Sequence, residues 1–225
     1  MLQNLIDIFT APRAVFARLR ERPTVLLPLL LLVVATSSIQ VGYIATTDRG
    51  FFVDQMVEQA LNANPTLRET ELRTAYENLS PTFLMATGGL GTAVAFVVIL
   101  LLYAVYLNFM SKFSHDGYRY QHWLSLLSWT GLPALFTALS AWLVMLSGNG
   151  QVSLGALQPL SLDTLLGINS GKQLLLNLSL PQLWSSVLLV LGYQSFTQST
   201  WLRATLVALA PMLLIYGIWG WFSLR

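Results

Sequence analysis

Three groups of residues have side chains that could do chemistry. The first, Gly167-Ile168-Asn169-Ser170-Gly171-Lys172, reads like a phosphate-binding loop. That loop needs four residues between its glycines and a Ser or Thr after the lysine to hold magnesium. Here three residues separate Gly167 from Gly171, and Gln173 follows Lys172, so the spacing argues against a nucleotide site. The second group is His115, Asp116 and His122. Two histidines and one carboxylate at this spacing match no zinc pattern, and their place at a helix end points to capping or headgroup contact. The third is a set of polar residues and prolines inside apolar runs: Gln40, Asn108, Gln194, Pro133 and Pro211. These could line a polar path, or they could join and bend helices. No GxSxG, HExxH or paired intramembrane aspartates occur, so hydrolase and intramembrane-protease readings have no support. We therefore expect no catalytic, cofactor or metal residues and no enzyme activity.

The elements that must position these groups are apolar. The 225 residues are 55% hydrophobic and 10% charged. Soluble domains carry about 25% charged residues, which places this chain among integral membrane proteins. The formal net charge is +2, so the basic pI reflects few groups and implies no nucleic-acid partner. The chain has no cysteine, which excludes disulfides and thiolate chemistry. Residues 118–146 exemplify the pattern: a basic, aromatic lead-in runs into an apolar helix with Pro133 near its middle. Roughly 20 apolar residues cross a bilayer. Five segments meet this requirement, over about 24–46, 82–110, 120–147, 182–199 and 203–223, the fourth being the shortest. The fold expected is all-α: a polytopic membrane bundle of about five transmembrane helices with an N-terminal amphipathic helix.

The remaining segments are the polar connections. Residues 1–22 carry Leu2, Leu5, Phe9, Phe16 and Leu19 on one helical face, interrupted by Pro12, with Thr10 as expected N-cap of a second helix. Arg13, Arg18, Arg20 and Arg22 then mark an interfacial arm, apolar side in the headgroup zone and arginines toward anionic lipid or a partner. Ala35-Thr36-Ser37 resembles a cleavage site, but the apolar run continues beyond it, so an uncleaved first span is expected. Residues 48–80 predict a helical hairpin, with a capping box at Thr66 and Glu69. Ser80-Pro81 predicts the next helix start. Gly88, Gly89, Gly91, Ala93 and Ala95 predict close approach of a helix, within the chain or from a second copy. Residues 148–180 form a second long connection that could enter the interface. Four arginines precede the first span and one soon follows, which predicts a cytoplasmic N-terminus and an outside C-terminus.

The assembled pattern resembles the Yip family, in its bacterial branch. The resemblance rests on Phe9-xx-Pro12-xx-Val15-Phe16, Arg22-Pro23 and Pro28. It continues through Gly117-Tyr118-Arg119-Tyr120-Gln121, Ser128, Leu132-Pro133, Leu183-Trp184, Arg203-Ala204 and Pro211. It implies a five-helix bundle with a cytoplasmic N-terminal region, no enzyme activity, and a home in the bacterial cytoplasmic membrane. The acidic-aromatic motif of eukaryotic relatives is missing here, so binding to Rab-type GTPases does not follow. Two functions remain in view. One is a non-enzymatic bundle that organises membrane or partner proteins, its partners being the bilayer and another membrane protein or a second copy. The other is a small transporter or channel at the proline-kinked helices. All ten acids lie outside the apolar runs, which weighs against a proton- or cation-coupled transporter.

Overall fold

The computed structural model describes residues 2–114, 117–168 and 173–223. His115, Asp116 and residues 169–172 of the phosphate-loop lookalike lie outside them. Helices α1 (Leu2–Thr10) and α2 (Pro12–Glu21) form an N-terminal pair. Pro12 takes the first position of α2, where its missing N–H is not needed. Thr10 does not cap α2; its hydroxyl turns back to donate to Ile6 O at 3.2 Å. Helix α3 (Leu26–Thr46) follows. Its Thr36 and Ser38 hydroxyls donate to Leu32 O and Ala35 O, both at 2.8 Å, so neither faces lipid unsatisfied.

Helices α4 (Arg49–Ala63) and α5 (Glu69–Asn78) form the expected hairpin. Asp48 caps α4, accepting from Phe51 N–H at 3.0 Å. The capping box at Thr66 and Glu69 does not form. Asn64 Oδ1 captures both the Thr66 N–H and its hydroxyl, at 3.1 and 2.7 Å, in a local turn that outcompetes the cap. Arg49 Nη2 donates to Tyr76 O and Leu79 O, each at 2.6 Å, and so holds the carbonyl end of α5. Arg73 pairs with Asp54 across the hairpin at 2.7 Å. The hydrogen bond that Arg73 donates to Asp54, and then the carboxylate's charge, push the Arg73 guanidinium further up.

Helix α6 (Pro81–Ser114) starts as expected, with Phe83 N–H donating to Ser80 Oγ at 3.1 Å. Helices α7 (Tyr120–Thr130) and α8 (Ala134–Ser147) divide one apolar stretch at Pro133. Pro133 has no N–H for Trp129 O, which accepts from Leu132 N–H at 3.3 Å instead. Tight i→i+3 bonds at Gly131–Ala134, Leu132–Leu135 and Pro133–Phe136 then carry the chain into α8. The long connection is folded. A 3₁₀ turn (Gly155–Leu157) and α9 (Leu162–Leu165) precede α10 (Gln173–Asn177). Leu162 N–H donates to Leu178 O and Leu180 N–H to Leu160 O, which close this segment on itself. Leu157 is buried while Leu165, Leu166 and Ile168 face outward. Helices α11 (Leu180–Thr197) and α12 (Trp201–Ser223) complete the bundle.

Among the described residues, four stretches are long and apolar enough to cross a membrane: Leu26–Thr46, Pro81–Phe113, Tyr120–Ser147 and Trp201–Trp221. The expected segment over 182–199 is the 18-residue α11, with Gln182, Ser185 and Ser186 in its first turns. Its 18 residues are enough to cross a bilayer, but two glutamines, three serines, a proline and a threonine leave it less apolar than the other four.

Helix α3 packs between α6 and α8. A Cβ on Gly42 would stand 2.6 Å from the Trp142 ring, so only glycine admits that indole, whose Nε1 donates to Ser38 Oγ at 3.1 Å. The glycine-rich part of α6 serves this internal seam. Cβ atoms on Gly88 and Gly89 would meet Gln40 and Val41, whereas one on Gly91 would meet nothing within 4 Å. Two cores result. The larger gathers Phe16, Leu32, Trp123, Trp129, Tyr193 and Phe196. The smaller, with Tyr43, Phe52, Val57 and Met145, lies under the α4–α5 hairpin.

Candidate intramembrane site and arginine face

The arginine arm is built into the bundle. Val15, Phe16 and Leu19 of α2 are buried, and α2 packs on α11 and α7. The apolar face of α2 is thus closed by protein, while Leu2 and Ile6 of α1 stay exposed. The reason is complementarity. Gly192 leaves room for the Phe16 ring, which would lie 3.2 Å from a Cβ there. Burying a phenylalanine stabilises by about 1.5–3 kcal/mol, and a protein groove also offers close packing. Arg13, Arg18, Arg20 and Arg22 remain exposed. Arg18 pairs with Asp7 of α1 at 2.5 Å. Arg20 Nε donates to Tyr118 OH at 2.8 Å, tying the end of α2 to the start of α7. The link to α3 is fixed as well: Thr24 O accepts from Ser125 Oγ at 2.8 Å and from Trp129 Nε1 at 2.9 Å. His122 Nδ1 accepts from Arg119 N–H at 3.3 Å, which is the capping role expected of it.

The intramembrane polar residues do not converge. Gln40 lies in the α3–α6 seam beside Gly88. Asn108 and Gln194 are half-buried on α6 and α11. None of the three lines the cavity of about 200 Å³ that opens beside the Pro133 break. That cavity is walled by Thr130, Gly131 and Ala134 at the break, Gln182, Ser185 and Ser186 on α11, Tyr103 on α6 and Met212 on α12. Gln182, Ser185 and Ser186 are residues that reading the sequence missed. They stand in the first turns of the least apolar of the five expected spans, and that was the available signal.

Pro211 does not break α12, because α6 supplies what the proline removes. A residue with an N–H at 211 would donate to Val207 O, four positions earlier. Tyr106 OH donates to Val207 O instead, at 3.0 Å. Tyr103 OH donates to the neighbouring Ala208 O. Two tyrosines three apart on α6 thus face two carbonyls next to a proline on α12, and they fix the register of the two helices.

Comparison with known families supplies the identity. The Yip1 domain model matches residues 6–222, from α1 to the last turn of α12. The chain belongs to the Yip1 domain family. No curated protein and no solved structure matches the chain. Family and fold together make this Yip1-domain chain a multi-pass membrane protein. The match includes both proline sites, the arginine arm and all the residues that wall the cavity.

Proposed function

We propose that this Yip1-domain protein is a non-enzymatic organiser of membrane or partner proteins in a bacterial inner membrane. In this reading α11 is the fifth span, the N-terminus is cytoplasmic and the C-terminus lies outside. The arginine bias around α3 supports that orientation. The observation that carries the function is the fixed cationic face of α2. Its apolar side is locked in the core, so Arg13, Arg18 and Arg20, with Arg22 just past the helix end, are exposed on a rigid helix, Arg18 paired with Asp7 and Arg20 bonded to Tyr118. A preorganised cationic face binds anionic lipid or an acidic partner without first ordering an arm. The transporter reading is less favoured, because Gln40, Asn108 and Gln194 lie apart.

The test replaces all four arginines with Gln in the full chain. Binding to anionic liposomes, and recovery of any co-purifying membrane protein, should both fall. Unchanged binding in both assays would sink the proposal. Solute flux in proteoliposomes that falls on Gln40→Leu or Asn108→Leu would favour transport instead.

A further inference from the structure

The cavity beside Pro133 adjoins a second space. A groove of about 580 Å³ runs between α6 and α12, and Ile99, Tyr103 and Met212 line both. The groove is almost wholly apolar, and its walls Leu102, Leu214 and Ile215 are exposed on the membrane-facing side. The cavity differs. Gln182, Ser185, Ser186 and Thr130 bring an amide and hydroxyls to it, and none of its wall residues is charged. The polar groups there are poorly matched. Gln182 Nε2 points at Met212 Sδ at 3.8 Å, and Ser186 Oγ at the same sulfur at 3.4 Å. The Ser186 hydroxyl already donates its one proton to Gln182 O at 2.9 Å, so toward a ligand it offers its oxygen as an acceptor. The Gln182 amide is the under-matched donor, because a thioether is a weak acceptor that an oxygen would replace with gain. Met212 itself is unbranched and adaptable, and it stands where cavity and groove meet.

We infer that cavity and groove form one binding site for a neutral lipid. Its aliphatic chain lies between α6 and α12, and an uncharged ester carbonyl or hydroxyl reaches Gln182 and Ser186 once Met212 swings aside. Depth supports the neutral class. The Pro133 break lies midway along the 28-residue stretch Tyr120–Ser147, and Met212 lies midway along α12. A phosphate carried to that depth would meet no counter-charge and would lose its hydration. A diacylglycerol-like molecule has ester and hydroxyl groups but no charge, and so can enter. This site is independent of the arginine face of α2 and stands or falls separately from it.

The experiment uses the full chain in phosphatidylcholine nanodiscs. The probe is diacylglycerol with a photoactivatable group midway along one chain, with crosslinks mapped by mass spectrometry. Labelling should fall on Leu102, Leu214 and Ile215, saturate, and be displaced by unlabelled diacylglycerol. Gln182→Leu and Ser186→Leu should each weaken it by about threefold or more, as for one lost hydrogen bond of ordinary strength. Met212→Leu, which keeps the volume and removes the sulfur, should retain or increase labelling and so shows that altering this junction does not itself abolish the site. Three results would each overturn the inference. These are labelling that never saturates, equal labelling by phosphatidylglycerol with the same chain, and labelling unchanged in both Leu variants.

Discussion

Replacing Tyr106 with Phe tests how the bundle tolerates Pro211. The phenol donates to Val207 O at 3.0 Å, the carbonyl that Pro211 leaves without its helical donor. Interhelical hydrogen bonds in membranes average about 0.6 kcal/mol and reach about 1.7. A buried carbonyl left unpaired costs about 1–3 kcal/mol. Tyr106→Phe should therefore destabilise the protein by about 1–2 kcal/mol, since no other donor replaces the hydroxyl. With Pro211→Ala, the alanine N–H takes Val207 O, and losing the phenol should then cost only about 0.5 kcal/mol, leaving a coupling of about 1 kcal/mol. Tyr103→Phe is the internal control. Ala208 O has Met212 N–H four residues on, so this variant should couple to Pro211→Ala more weakly. The assay is reversible unfolding of the single and double variants in mixed micelles, driven by a denaturing detergent. A Tyr106→Phe cost that is the same with Pro211 and with Ala at that position would refute the reasoning.

Two further perturbations test the packing. A methyl on Gly192 would run into Leu126 and press on Phe16, so Gly192→Ala should cost about 1–3 kcal/mol by overpacking and raise hydrogen exchange in α2. Gly91→Ala, which meets nothing within 4 Å, should be neutral or slightly stabilising in the same measurement. Arg49→Gln removes the cation bonded to Tyr76 O and Leu79 O. It should weaken the hairpin by about 1.5–3 kcal/mol and increase exchange across α5 while α6 stays protected.

The apolar runs made the helical class and four candidate spans legible, because length and hydropathy are local properties that a bilayer-facing helix cannot hide. The proline at 133 was legible as a kink within one span, since a missing N–H acts on its own helix, but not as the break that divides α7 from α8. The Ser80-Pro81 start was legible too, since a cap needs only its own turn. The caps proposed at Thr10 and Thr66 failed where another local bond, to Ile6 O or to Asn64 Oδ1, competed for the same hydroxyl. Nothing in the sequence ranks such alternatives.

The candidate site was harder to read. Gln40, Asn108 and Gln194 stood out as polar residues in apolar runs, but polarity alone does not say which helices face each other. The fold separates these three and brings Gln182, Ser186 and Met212 together across two helices. Likewise Tyr103 and Tyr106 gain meaning only when α6 lies beside Pro211.

From its sequence alone, then, this protein is a multi-span helical bundle with an arginine-bearing arm and a proline within its third apolar run. Those features follow from composition, backbone chemistry and helical period. Tertiary structure decided that the apolar side of α2 is spent on Phe16 against Gly192, leaving the arginines outward. It also decided that Gly88 and Gly89 serve α3, and that the polar groups of α11 meet a thioether. Each of these depends on contacts between helices far apart in the chain, where shape complementarity chooses among partners that are all equally apolar.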